Sequence, residues 1–129
     1  MRIIGDDKRS WLSIERWEDG DYSAFAMGAH VEIGHGEFHS KNIDVQLLQI
    51  DKFVSEFDRF ILDRSLSPRL NGTYDSYICF RGVGAQVVLE FEIGDATTIG
   101  SKTVFHRQTG AFIVDQEFLT EFLRSFRSL

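Results

Sequence analysis

Phe112-Ile113-Val114-Asp115-Gln116-Glu117-Phe118-Leu119-Thr120-Glu121-Phe122-Leu123-Arg124-Ser125-Phe126 is the stretch that decides the fold class of this chain. It opens with an apolar extended run. From Phe118 onward the apolar positions Phe118, Leu119, Phe122, Leu123 and Phe126 recur at helical spacing and make one stripe. Asp115 stands between the two patterns, where a carboxylate accepts from the free amides of a first helical turn. Val114 and Leu119 have the spacing of a hydrophobic staple. A strand therefore hands over to an amphipathic helix.

The same change of period occurs once before. Ile50, Phe53, Val54, Phe57, Phe60 and Ile61 share a stripe between Ile50 and Leu62, with Lys52, Glu56 and Arg59 off it, and Asp51 is the expected cap. Ser65-Leu66-Ser67-Pro68 stops this helix, because proline biases its predecessor away from helical geometry.

Upstream, Trp11 to Trp17 reads as a strand and Glu18-Asp19-Gly20-Asp21 as a turn. The next strand runs from Tyr22 to Ile33, with Phe25, Met27, Ala29, Val31 and Ile33 on one face and Gly28, His30 and Glu32 on the other. Gly34-His35-Gly36 turns the chain. Glu37 to Leu47 puts Ile43, Val45 and Leu47 on one face with Phe38 out of phase, which predicts a bulge near Lys41-Asn42.

Downstream, Thr73 to Arg81, Gln86 to Gly94 and Lys102 to Gln108 read as strands joined by turns at Gly82-Val83-Gly84 and Gly94 to Gly100. Gly110 opens a last strand, Ala111 to Val114. Runs of strands that each end in a helix indicate the α+β class: an antiparallel twisted sheet of about six to seven strands with two helices packed on one face. A single domain over residues 1–129 is expected, since this length supports one hydrophobic core.

Apolar residues at 43% and charged residues at 26% place the chain among ordinary globular proteins. No apolar run is long enough for a membrane span and the N-terminus lacks a secretory signal, so a cytoplasmic protein without a membrane partner is expected. Cys79 is the only cysteine, which excludes an internal disulfide, and it reads as a buried structural thiol. The net charge is −6, and Glu15 to Asp58 carries ten acidic residues against Arg16, Lys41 and Lys52. Such a surface disfavours nucleic acid and steers a basic protein partner.

Four segments together carry a family resemblance. They are Gly36-Glu37-Phe38-His39-Ser40 before a strand, Ile50-Asp51-Lys52-Phe53-Val54-Ser55-Glu56-Phe57 opening the first helix, Leu70-Asn71-Gly72-Thr73 after it, and Phe112 to Phe126. Their layout resembles that of the WapI-type immunity proteins, with a G-x-F-x-G strand start, a D-L-x-x-F helix, an L-x-G-x-A turn and a terminal D-Q-x-x-L helix. Asp115-Gln116-x-x-Leu119 matches the last of these; Ser40 replaces the second glycine of the first, and no alanine follows Thr73. The resemblance implies a small cytoplasmic bacterial protein, not an enzyme and without a cofactor, that neutralises a cognate toxin domain by protein contact. Asp115 and Gln116 are structural positions within it.

Chemistry-bearing motifs are sparse. His30, His35 and His39, with Glu32 and Glu37, are residue types that zinc accepts. His35 and His39 lie in or beyond a turn, so spacing alone does not bring them to one ion, and hydrogen-bonded surface histidines are expected. Cys79 has no helix N-terminus beside it, no G-x-S-x-G elbow occurs, and Gly82-Val83-Gly84 lacks the third glycine and following helix of a phosphate loop. Asp6-Asp7, Glu18-Asp19-Asp21 and Glu90-Glu92 read as solvated carboxylates rather than acid/base pairs. No catalytic, cofactor-binding or metal-ligating residue is assigned.

What remains is an acidic interface in which Trp17, Glu18, Asp19, Asp21, Tyr22, Glu32 and Glu37 meet a protein partner, with the aromatic residues as anchors. Two alternatives stay open: a structural or oligomerisation module, including a homodimer, and, less favoured, a small metal-dependent enzyme using the histidine hairpin.

Overall fold

Alternation at period two builds a meander of strands, and two switches to period 3.6 add the helices. A computed structural model describes residues 1–17 and 24–129. In chain order they form β1 (Arg2–Ile4), β2 (Trp11–Trp17), β3 (Ala24–Ile33), β4 (Gly36–Leu48), α1 (Ile50–Phe60), β5 (Arg69–Gly72), β6 (Tyr77–Val83), β7 (Gln86–Ile99), β8 (Lys102–Ile113) and α2 (Gln116–Arg127). The class is α+β: one sheet with its strands in sequence order and every neighbour antiparallel. The Glu18-Asp19-Gly20-Asp21 turn and the expected strand start at Tyr22 lie outside the described residues.

The sheet has eight strands among the described residues, not the expected six to seven. Two of them are too short to show alternation. β1 pairs through Arg2↔Ser13, Ile3↔Leu12 and Ile4↔Trp11. β5 falls where Asn71-Gly72 signals a turn, yet it bridges β4 to β6 through Leu48↔Asn71 and Asn71↔Tyr77. Conversely, the two strands expected at Lys102 to Gln108 and Ala111 to Val114 are one.

That last error comes from reading strand glycines as turns. Gly110 pairs with Phe91, and a Cβ there would lie 2.5 Å from the Phe91 ring, so the glycine makes room for an aromatic across the ladder. Gly94 sits mid-strand because a Cβ would meet the Tyr74 carbonyl oxygen at 2.5 Å. The Asn42 amide donates to the Gly94 carbonyl at 2.7 Å, and the Gly94 N–H donates to Ser76 Oγ at 3.1 Å. This buried polar latch fastens β4 to β7.

The expected bulge is present: Phe25↔Val45 and Met27↔Asn42 place one extra residue on β4. It turns Asn42 and Val45 inward and leaves Ile43 exposed, opposite to its expected side. Asp51 does not cap α1. Gln49 does, in the left-handed region at φ 53° and without a side-chain bond, while Asp51 sits in the first turn, where its charge complements the helix dipole. Asp115 caps α2 as expected, accepting from the Glu117 N–H at 3.1 Å, and also pairs with Lys8.

Both helices cover the inner face of the sheet. Phe80 of β6 touches Phe53 and Phe57 of α1 and Phe122 of α2, with the Phe57 and Phe122 ring centroids 4.6 Å apart. Truncating such a fully buried ring costs about 3–5 kcal/mol. The two ends of the sheet also meet. Gly5 and Val114 form an antiparallel bridge, flanked by Asp6 N–H to the Ile113 carbonyl at 2.7 Å and Asp115 N–H to the Ile4 carbonyl at 3.0 Å. The sheet curls into a ring around its core. No helix among the described residues is long and apolar enough to cross a membrane.

Candidate functional site

Residues directly opposite in an antiparallel ladder share a face. Phe25, Met27, Ala29 and Val31 of β3 belong to the core, so Ala24, Ala26, Gly28, His30 and Glu32 point outward. Their partners point outward with them: Trp11, Ser13, Glu15 and Trp17 on β2, and Glu37, His39 and Lys41 on β4. Ala24, Ala26, Gly28 and His30 are nevertheless buried. Larger side chains of both flanking strands, Trp11, Glu15, His39 and Lys41, surround Ala26 and Gly28.

The result is an outer groove of about 430 Å³. Ala26 and Gly28 are its floor; Trp11, Glu15, His39 and Lys41 are its walls, and Arg2 closes one side. The Arg2 guanidinium lies 3.9 Å from the Trp11 ring centroid, a cation–π contact that holds the indole upright. A Cβ on Gly28 would lie 3.1 Å from Ser13 Oγ and 3.8 Å from Trp11, so the depth depends on glycine.

At the turn end of β3–β4 the chemistry changes. His30 Nε2 is 3.2 Å from Glu32 Oε1, and His30 Nδ1 is 3.0 Å from His39 Nε2. The His30 ring stacks on Trp11 at a centroid distance of 6.0 Å. Beside it, Asp7 accepts from the Arg9 and Ser10 N–H groups at 2.9 and 2.8 Å and from the Ser10 hydroxyl at 2.8 Å. Burial pushes the Asp7 carboxyl up, but these hydrogen bonds outweigh it and leave its pKa below the ordinary 3.8. Ser10 Oγ in turn accepts from the Glu32 N–H at 3.2 Å, which ties this loop to the hairpin. An open depression of about 740 Å³ lies in front, lined by Asp7, Arg9, Glu32, His35 and Glu37 among others.

Of the residues expected to face a partner, Trp17, Glu32 and Glu37 share this outer surface. Glu32 and Glu37 are directly opposite each other. Trp17, 38% exposed, pairs with Ala24 at the far end of the same strand, eight residues from Glu32 or about 26 Å at strand rise. Glu18, Asp19, Asp21 and Tyr22 lie outside the described residues.

Of the histidines, His30 and His39 come together. One ligand atom from each of His30, Glu32 and Glu37 lies within 4.8 Å of the others, while His35 lines the depression outside this set. A signal for this was present in the sequence. His30-x-Glu32-Ile33-Gly34-His35-Gly36-Glu37-x-His39 is a palindrome of His and Glu, and a two-residue turn at Gly34-His35 folds it onto itself as Glu32↔Glu37 and His30↔His39. The groove residues Arg2, Ala26, Gly28 and Lys41 carried no such signal.

Cys79 is only half-buried, on the outer face of β6, not in the core as expected. Burial and the nearby Glu90 push its thiol pKa up against the pull of Arg69 and Arg81, which makes it a poor nucleophile. No protein family, curated protein or solved structure matches this chain.

Proposed function

We propose that the chain is a non-enzymatic binding protein of the immunity type, which neutralises a basic cognate toxin domain through the outer face of β2–β4. The observation that carries this reading is the groove itself. A floor of Ala26 and Gly28 between Trp11 and the His39–Lys41 wall accepts a protruding side chain, as the centre of an interface does. Trp17 at one end and Glu32 with Glu37 at the other extend it to a length that a standard protein interface covers. The acidic bias of Glu15 to Asp58 supports steering of a cationic partner.

The test is co-purification with the product of the gene encoded immediately upstream, together with growth when that product is expressed alone and with this chain. A complex that restores growth is expected. Glu15→Lys should slow association and flatten its salt dependence, and Trp17→Ala should weaken binding by roughly tenfold. Absence of both complex and toxicity, or wild-type binding by both variants, overturns the reading.

A further inference from the structure

We propose that His30, Glu32 and Glu37 form a binding site for a divalent transition-metal ion of the zinc type, on the outer face of the β3–β4 hairpin. This goes beyond the toxin-binding reading and does not depend on it.

The donor set comes first. One imidazole and two carboxylates are the ligand types of an open zinc site, in which three protein groups leave a fourth position to water. Their donor atoms already lie within 4.8 Å of one another. Bonds of about 2.0–2.2 Å require donors closer than this, and both glutamates have the side-chain rotations to close the gap. The histidine, which has the least freedom, is the one already held. His30 is 9% exposed and stacked on Trp11, and its Nδ1 faces His39. With the Nδ1 proton donated to His39, the Nε2 lone pair points to Glu32. That is the role an outer partner plays for a ligating histidine.

Electrostatics supplies an independent reason. Glu32 and Glu37 are a directly opposed like-charge pair, an arrangement that destabilises an antiparallel ladder. Arg9 approaches only Glu32, at 3.8 Å, and among the described residues Glu37 has no ion pair. A divalent cation between the carboxylates turns the repulsion into coordination. The depression lined by Asp7, Arg9 and His35 gives such an ion an open approach and leaves room for its water.

The experiment uses the full chain, stripped with chelator and dialysed. Zinc chloride is titrated in by calorimetry, metal content is measured by elemental analysis, and cobalt(II) spectra report the coordination geometry. Stoichiometric zinc and the absorption of a low-coordinate cobalt site are expected. Glu37→Gln, an exposed change that leaves the core untouched, should weaken zinc binding at least about tenfold. His39→Ala should weaken it by about 10–100-fold through the lost orientation of His30. His30→Ala should abolish it, and His106→Ala on β8 should bind as wild type. Absence of stoichiometric binding, or wild-type affinity in a Glu37→Gln protein shown to be folded by circular dichroism, overturns the proposal.

Discussion

β3–β4 and β7–β8 are both long antiparallel hairpins that turn through a glycine of positive φ, Gly34 at 59° and Gly100 at 63°. β7–β8 keeps unbroken register from Val88↔Ile113 to Ile99↔Lys102 and buries one row, Val87, Leu89, Phe91 and Ile93. Its far end is exposed, with Phe105 and Ile99 open to solvent. β3–β4 is broken by a bulge, and β3 is buried on both sides from Ala24 to Val31. A strand with one working face holds a core together. A strand buried on both faces, with small residues between larger ones on its outer side, also presents a groove to its surroundings.

That contrast can be broken by mutation. Phe91→Ala in β7 should have the largest effect, lowering unfolding free energy by about 3–5 kcal/mol in urea, because the ring fills the space left by Gly110. A loss under about 1 kcal/mol would mean that β7–β8 is not where stability resides. Asn42→Ala removes the hydrogen bond that the side-chain amide donates between the two hairpins and strands the Gly94 carbonyl, for an expected loss of about 1–3 kcal/mol in the same measurement. In β3–β4 the sign should reverse. Glu37→Gln relieves a like-charge pair and should raise the thermal stability of metal-free protein by about 0.2–1 kcal/mol, whereas a drop would show that Glu37 has a structural partner.

The smallest effect concerns pH. Asp7 has a folded pKa below 3.8, so its contribution is complete above that value and fades as pH falls through the folded one. Asp7→Asn should therefore be less stable than wild type near neutrality and converge with it in acid, read from denaturation midpoints across pH. Parallel curves would exclude a titrating Asp7 as the support of the loop beside β3.

The two hairpins were also unequally legible in the sequence. In β7 the row Val87, Leu89, Phe91 and Ile93 shows in the alternation, because burial on one face imposes period two. Its extent did not, since a glycine demanded by a neighbour's bulk looks the same as one demanded by a turn. The cap of α1 is hidden for a different reason: Asp51 has the right chemistry two residues after the cap, while Gln49 takes the cap position in the left-handed region without a side-chain bond to mark it. In β3–β4, composition located the acid but not its partners. Which residues face one another depends on the ladder, and the bulge near Asn42 changes the parity on one side of it. The palindrome survives because it is centred on the turn and both its arms end before the bulge.

The bridge between Gly5 and Val114 has a consequence for how the chain assembles. Every other strand pairing joins sequence neighbours among the described residues, so the sheet can zip up locally as the chain emerges. Ring closure alone waits for the last strand. Until then β1 and β8 are two bare edges, each a template for the complementary edge of another copy, and a nascent or loosened molecule is most exposed to strand exchange at this seam.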